Sequence, residues 1–258
     1  MIPKIIHYCW LSNDDIPEKM MKCIESWKKY LPDYKLIKWD LERFDISSND
    51  WCKEAYEKKK YAFACDYIRL YAVQKYGGIY MDMDIEVLKS FDDLLDKPYM
   101  FAYEDGSKLG IEAGVFGAEP GNDFLADCLQ YYEGKHFVDV QDILFKYTLP
   151  KVMKAVFDKG GYDYELYDQY MFTAKSYHTG EIMVRDYTHT IHHFEGSWQT
   201  EKERKLHEEE KKYKQKYGVR VGRNIAAYKN AWAEKKVLGM VQITVEKMRK
   251  KAKAILSK

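Results

Sequence analysis

The pair Gly77-Gly78 separates a helical stretch from a short apolar run, Ile79-Tyr80-Met81, which ends at Asp82-Met83-Asp84. Glycine readily adopts the left-handed backbone that ends a helix, so the pair reads as a C-terminal stop. The run after it is too short for a helix and apolar throughout, which predicts a central strand over 79–81, buried on both faces. Helix, stop, buried strand and acidic pair imply an α/β fold with two carboxylates at a strand's carboxyl end, where open α/β sheets bind ligands. Residues i and i+2 of a strand point to one side, so Asp82 and Asp84 are expected to face one ion. Their hard oxygens suit Mg²⁺ or Mn²⁺, ions that complete their shells with phosphate oxygens. A bare Asp-x-Asp also occurs in many solvated loops; the strand and the glycine stop give this one its weight.

The helical stretch before the stop carries Asp66 and Arg69, three residues apart and so on one face. Two readings stay open. They form a local ion pair of about 0.3–0.5 kcal/mol, or a clamp in which Asp66 accepts from sugar hydroxyls and Arg69 donates to a hydroxyl or phosphate.

A chain of 258 residues with 46% apolar and 32% charged residues is long and apolar enough for one large domain, or one domain with a small appendage. A net charge of +1 gives no global attraction to nucleic acid. Five cysteines, an odd number without a Cys-x-x-Cys pair, suggest neither a disulfide framework nor a zinc site, and reduced thiols in a cytoplasmic protein are expected. The N-terminus lacks a signal-peptide pattern and no apolar stretch approaches a bilayer span.

Strands are expected over 5–10 and 34–39 with a helix over 17–30 between them, a parallel βαβ unit. Helices follow over 51–59 and 61–75, strands over 99–103 and 114–118, a helix from 121 to 132 and another over 139–157. Late strands are expected over 181–187 and 190–194. From 201 the pattern is helical and charged, with interruptions near Gly218 and Gly222. Within it, over 235–258, Leu238, Val241, Val245, Met248, Ala252 and Ile255 recur at helical spacing among Lys247, Arg249, Lys250, Lys251 and Lys253. Such a basic amphipathic helix either lies on an anionic membrane surface or docks on the domain with its lysines in solvent.

Three segments in order, Pro3-Lys4-Ile5-Ile6-His7-Tyr8-Cys9-Trp10, then Asp66-x-x-Arg69 with Gly77-Gly78-Ile79-Tyr80-Met81-Asp82-Met83-Asp84, then His192-His193-Phe194-Glu195-Gly196-Ser197-Trp198, resemble glycosyltransferase family 32, the DXD-containing sugar transferases related to the clostridial glucosylating toxins. The resemblance implies a GT-A type fold: a Rossmann-like mixed sheet flanked by helices over 1–200, with a helical C-terminal extension over 201–258. It also implies roles. Trp10 is similar to the position that stacks on the nucleotide base, though a core Trp is the other reading, and His7 in the same strand falls among the substrate-binding residues. Asp66 and Arg69 match the residues that hold the donor sugar, and Tyr80 a tyrosine near its phosphate. Asp84 matches the direct metal ligand and Asp82 a partner that binds ribose or a metal-bound water. Asp82, Asp84 and Arg69 form the implied catalytic set. His192 is favoured as third metal ligand over Glu195 and Ser197, while His193 would point to the opposite face. Ser197 and Trp198 match donor-binding positions, the Trp198 indole reaching a phosphate oxygen. Relatives often carry Ser where this chain has Cys65, so a hydrogen bond to ribose or base is expected to be weaker. Glu104, Asp105 and Glu112 either face the sugar or acceptor or, by the plainer reading, are solvated loop acids.

The resemblance thus implies a retaining glycosyltransferase dependent on Mn²⁺ or Mg²⁺. It would move a hexose from a nucleotide-sugar donor, UDP-linked by preference and GDP-mannose otherwise, to a glycan or lipid-linked saccharide in surface or capsular polysaccharide synthesis. It would work in the cytoplasm, with peripheral contact to the membrane's cytoplasmic face through 235–258. The alternative is a non-catalytic nucleotide-sugar or glycan-binding protein on the same fold. A metal-dependent phosphohydrolase is a third class, which the Trp10 and Trp198 segments do not suggest.

Overall fold

The structure, a computed structural model, describes residues 1–137, 147–196 and 201–233. The chain divides into two compact units, Met1–Ser176 with Glu181–Trp198, and Tyr177–Gly180 with Gln199–Lys258.

In the first unit, β1 (Ile5–Cys9) and β2 (Lys35–Trp39) run parallel, joined through helix α1 (Glu18–Tyr30). Pro17, at φ −58°, is already set for the first turn of α1, and Met20, Cys23, Ile24 and Trp27 recur on its buried face. Helices α2 (Asp50–Glu57) and α3 (Tyr61–Tyr76) then lead to β3 (Gly78–Met81), which pairs parallel with β1. β6 (Val115–Ala118) lies antiparallel on the other side of β3, with β5 (Tyr99–Met100) at the edge. The sheet order β2-β1-β3-β6-β5 is mixed and flanked by helices, the expected class, with β3 at its centre.

Both glycines of the opening pair are required. Gly77 sits at φ +64° and a Cβ there would stand 2.6 Å from Pro120 Cδ; Gly78 sits at φ +104° and a Cβ would stand 2.7 Å from the Ile5 carbonyl oxygen. Beyond them β3 alternates as a buried strand does. Ile79 and Met81 join the core that includes Met20, Ile24 and Trp27 of α1; Tyr80 joins the opposite core, built with α2, α3, α4 (Asp123–Gln130) and α5 (Leu149–Phe157). Helix α3 is buried nearly all round, so Asp66 and Arg69 are carried into the interior with it.

A second, two-stranded sheet was not expected. β4 (Ile85–Val87) pairs antiparallel with β7 (Thr190–His192), in the register Ile85↔His192. This pairing carries the late His-His segment to the acidic pair.

Three expectations need correction. Residues 181–187 form no strand beyond a single bridge, Lys175↔Ile182; Ile182 and Val184 are exposed, so their alternation meets no partner strand. The strand expected over 99–103 shortens to Tyr99–Met100, its remainder held by bridges from Ala102 and Tyr103. The helix expected over 139–157 is present as α5 over its described part from Leu149, with Pro150 in its first turn; residues 139–146 lie outside the described residues. In the second unit, α6 (Glu201–Tyr217) and α7 (Val219–Ala233) break at Gly218 alone. Gly222 stays helical, and a Cβ there would stand 2.4 Å from the backbone of Tyr213 and Lys214, so it permits a close helix crossing. The segment 235–258 lies outside the described residues. Among the described residues no helix is long and apolar enough to cross a membrane, and all five cysteines are buried and free.

Candidate active site

β3 ends at Met81, and the acidic pair lies in the turn that follows. The Asp82 N–H donates to the Gly114 carbonyl at 2.8 Å, and the Ile85 N–H closes back on the Asp82 carbonyl at 3.1 Å. The two carboxylates therefore converge through a tight turn over buried Met83, and not through strand alternation as the spacing suggested. The Asp84 carbonyl accepts from the His193 N–H at 3.0 Å, and Asp84 Oδ2 accepts from the Glu195 N–H at 2.9 Å. These bonds leave Asp84 Oδ1 facing His192, whose Nε2 is 3.5 Å away. Asp82, Asp84 and His192 each bring one ligand atom within 4.8 Å of the others. Two carboxylates and an imidazole at that spacing fit a divalent cation.

Behind the acids lies Arg69, 6% exposed. It donates to Asp82 Oδ2 at 3.1 Å and to the Ala113 carbonyl at 2.8 Å, and its other terminal nitrogen is 3.4 Å from Asp66 Oδ1. The guanidinium lies over the Tyr80 ring, 4.6 Å from its centroid, while the Tyr80 hydroxyl donates to Asp82 Oδ1 at 2.8 Å. Both oxygens of Asp82 are thus held, whereas Asp84 keeps one oxygen open toward His192.

Burial sets the electrostatics. It pushes the Asp66 carboxyl up to about 7, against the pull of Arg69. It raises Asp82 as well, again opposed by Arg69. Burial alone would lower His192, but the charges of Asp84 and Glu112 outweigh it and lift the imidazole to about 9. A cation held here would relieve repulsion between the buried carboxylates.

The other expected residues are placed as follows. His7 does not face the cleft: it is fully buried, Nε2 bonding the Gly77 carbonyl at 2.9 Å and Nδ1 accepting from Trp39 Nε1 at 3.1 Å. It ties β1 to the glycine turn, which corrects its expected role in substrate binding. Trp10 is half-buried just beyond β1, its indole donating to the Asp14 carbonyl at 3.0 Å. Glu195 pairs with Lys19 at 2.9 Å, and His193 bonds Glu86 at 2.8 Å on the other face. Ser197 and Trp198 lie outside the described residues.

Two further acids, Glu112 and Glu104, lie close enough to His192 to interact with its charge. Glu112 is buried beside His192, so the solvated-loop reading fails for it. Burial pushes the Glu104 carboxyl up to about 7, with Glu112 adding repulsion. A lone acid inside the apolar run Ile111-Glu112-Ala113-Gly114-Val115-Phe116 was the available signal. Asp105 lies in a loop, where its carboxylate accepts the Ser107 backbone N–H at 2.9 Å.

Comparison with known proteins matches residues 17–101 to a family described as glycosyltransferase sugar-binding region containing DXD motif. Inositol phosphoceramide mannosyltransferase 3 of Schizosaccharomyces pombe is 34% identical over 128 residues, 48% of this chain and 35% of its own. Mannosyl phosphorylinositol ceramide synthase SUR1 of Saccharomyces cerevisiae is 30% identical over 151 residues, 56% of this chain and 39% of its own. An uncharacterized glycosyltransferase, L373, of Acanthamoeba polyphaga mimivirus is 34% identical over 130 residues, 47% of this chain and 52% of its own. The chain thus spans between 35% and 52% of the length of these curated relatives. Among solved structures, PaToxG glycosyltransferase aligns over 61% of this chain and 69% of its own with a TM-score of 0.49 and 20% identity.

Proposed function

We propose that this chain, whose residues 17–101 match the DXD-containing glycosyltransferase sugar-binding family, is a metal-dependent glycosyltransferase. It moves a hexose from a nucleoside-diphosphate sugar to a glycan or lipid-linked saccharide. The observation that carries this reading is the convergence of Asp82, Asp84 and His192 within 4.8 Å, with Arg69 and Asp66 directly behind them.

Asp84 and His192 would hold Mn²⁺ or Mg²⁺ directly, with Asp82 as ligand or as partner of a bound water; the imidazole donor favours Mn²⁺. The ion supplies charge neutralisation for the leaving diphosphate. Arg69 provides a fixed positive charge at the same place, and preorganised charge of this kind is usually the largest contribution to rate. Asp66 accepts from donor-sugar hydroxyls. Tyr80 holds Asp82 in orientation. Trp10, at the end of β1, offers a flat face to the base. Retention by front-face transfer is part of the proposal, the leaving phosphate taking the acceptor proton.

The names of the fungal relatives speak of mannose and of an inositol phosphoceramide acceptor, which favours a mannosyl donor and a lipid-borne acceptor here; UDP-sugars are the other donor class. The segment 235–258 would bring the enzyme to an anionic membrane surface where such an acceptor lies. The test is incubation of the full chain with Mn²⁺ and a panel of GDP- and UDP-sugars, reading free nucleoside diphosphate by chromatography. Slow, Mn²⁺-dependent donor cleavage is expected with one donor class. Nucleotide-sugar binding without turnover, with donors and saccharide acceptors alike, would overturn the enzyme reading in favour of a binding protein.

A further inference from the structure

We propose that Glu112 is a positioning residue for His192: the charge of its buried carboxylate, beside Nδ1, favours the proton on that nitrogen and leaves Nε2 to face the two aspartates. The inference rests on the metal site proposed above and adds to it a residue outside the Asp-x-Asp and His-His segments.

The imidazole of His192 spans two carboxylates. Nε2 is 3.5 Å from Asp84 Oδ1, and Nδ1, which is buried and has no hydrogen-bond partner, has Glu112 Oε1 3.4 Å away, at ion-pair distance. Glu112 is itself held firmly. It is 2% exposed, its Oε1 accepts the Gly114 N–H at 2.6 Å, and its Oε2 accepts the Thr173 hydroxyl. Burying a carboxylate among two neutral donors is costly unless a third group shares its charge, and His192 is that group.

The chain makes room for the contact. A Cβ on Gly114 would stand 2.7 Å from His192 Cε1 and 2.9 Å from Glu112 Oε1. Any larger residue would push the two side chains apart. The ring is also fixed on its face: Phe194 stacks on it with centroids 4.0 Å apart and planes inclined by 23°. Phe194 does so from φ +56°, an uncommon conformation for a bulky residue. The bonds from the His193 and Glu195 N–H groups to Asp84, on either side, hold it there.

A neutral imidazole ligates through the nitrogen that lacks the proton. A carboxylate on Nδ1–H therefore selects Nε2 as donor and strengthens it, and loss of such a partner typically costs 10- to 100-fold in metal affinity. A carboxylate serving only to join Gly114 to Thr173 would have no such effect.

The experiment is calorimetric titration of the full chain with Mn²⁺ alone, for the wild type, Glu112→Gln, Thr173→Val and Asp84→Ala, with thermal melts in chelator as the check on folding. Glu112→Gln keeps the shape and removes the charge. We expect a roughly 10- to 100-fold rise in its Mn²⁺ dissociation constant with little change in the chelator melt. Thr173→Val frees one carboxylate oxygen and should weaken binding by a smaller factor, which also provides the test if Glu112→Gln fails to fold. Wild-type Mn²⁺ affinity in these variants, alongside lost binding in Asp84→Ala, overturns the role of Glu112 and leaves the metal site standing. Wild-type affinity in Asp84→Ala overturns the metal site and this inference with it.

Discussion

Arg69 donates to Asp82 at 3.1 Å across the end of the central strand, and the same guanidinium reaches Asp66 one helical turn back. One buried cation thus serves two buried carboxylates. Removing it strands both, a change that typically costs about 3–5 kcal/mol. Arg69→Met is therefore expected to lower the free energy of unfolding, read by chemical denaturation, by that amount. Arg69→Lys keeps the charge but cannot reach both acids and the Ala113 carbonyl together. We expect it to fold and to lose about 10²–10³ in turnover, read as donor cleavage; near-wild-type turnover in Arg69→Lys would remove Arg69 from the phosphate-facing role.

The charge on His192 sets a pH dependence. Its folded-state value of about 9 stands above the ordinary 6.5, so its stabilising contribution in the metal-free protein is complete below pH 6.5 and disappears as pH rises through 9. Asp66 and Glu104, raised to about 7, also stabilise less as pH rises, but their loss is complete lower in the range. Denaturation in EDTA between pH 6.5 and 10, for the wild type and His192→Gln, isolates the His192 part: wild-type stability should fall through this range, and the variant should fall less. Mn²⁺ affinity runs the other way. Protons compete for Nε2, so it should weaken about tenfold for each pH unit below about 9. A flat affinity from pH 7 to 9 would contradict the ligand role.

His7 is expected to matter for stability and not for substrate. Burial holds its imidazole down to about 4, so its neutral form is the folded form. Its contribution is complete above pH 6.5 and is lost as pH falls through 4. His7→Ala leaves the Trp39 indole and the Gly77 carbonyl without partners and opens a cavity in the core, a loss of about 2–4 kcal/mol. Denaturant titration checks the loss, and Mn²⁺ calorimetry checks that metal affinity is kept in the folded fraction.

The parts of the site that local pattern specifies were legible in the residues. The Gly77-Gly78 stop, the buried β3 and the shared face of Asp66 and Arg69 follow from short-range rules. What was not legible depends on distant pairing. Ile85–Val87 is too short to show a period, and only its register with Thr190–His192 makes it a strand. For the same reason Asp82 and Asp84 were assigned to a strand when a turn joins them. The places of His7 and Glu112 are not legible in the residues, because burial decides between ligand, structural residue and solvated acid, and no local pattern reports burial of a single polar side chain. The apolar alternation at 181–187 misled in the opposite sense, since a strand needs a neighbour to pair with.

Trp10 is expected to act on the nucleotide. Base–aromatic stacking is worth about 1–3 kcal/mol, so Trp10→Ala should weaken binding of the preferred nucleoside diphosphate by about 5- to 150-fold without disturbing Mn²⁺ affinity. Unchanged nucleotide affinity by calorimetry would refute stacking and leave Trp10 as a packing residue of the α1 side.

The most direct measurement compares donor cleavage by the wild type and Asp84→Ala across a Mn²⁺ titration, with a thermal melt of each protein in chelator. Asp84 Oδ1 is the open oxygen facing His192, so its loss should remove the site while the sheet remains. The expected result is cleavage that rises with Mn²⁺ in the wild type and stays at background in a folded Asp84→Ala. Near-normal, Mn²⁺-dependent cleavage in that variant would contradict the assignment of the Asp82–Asp84–His192 cluster as the metal centre of a sugar transferase.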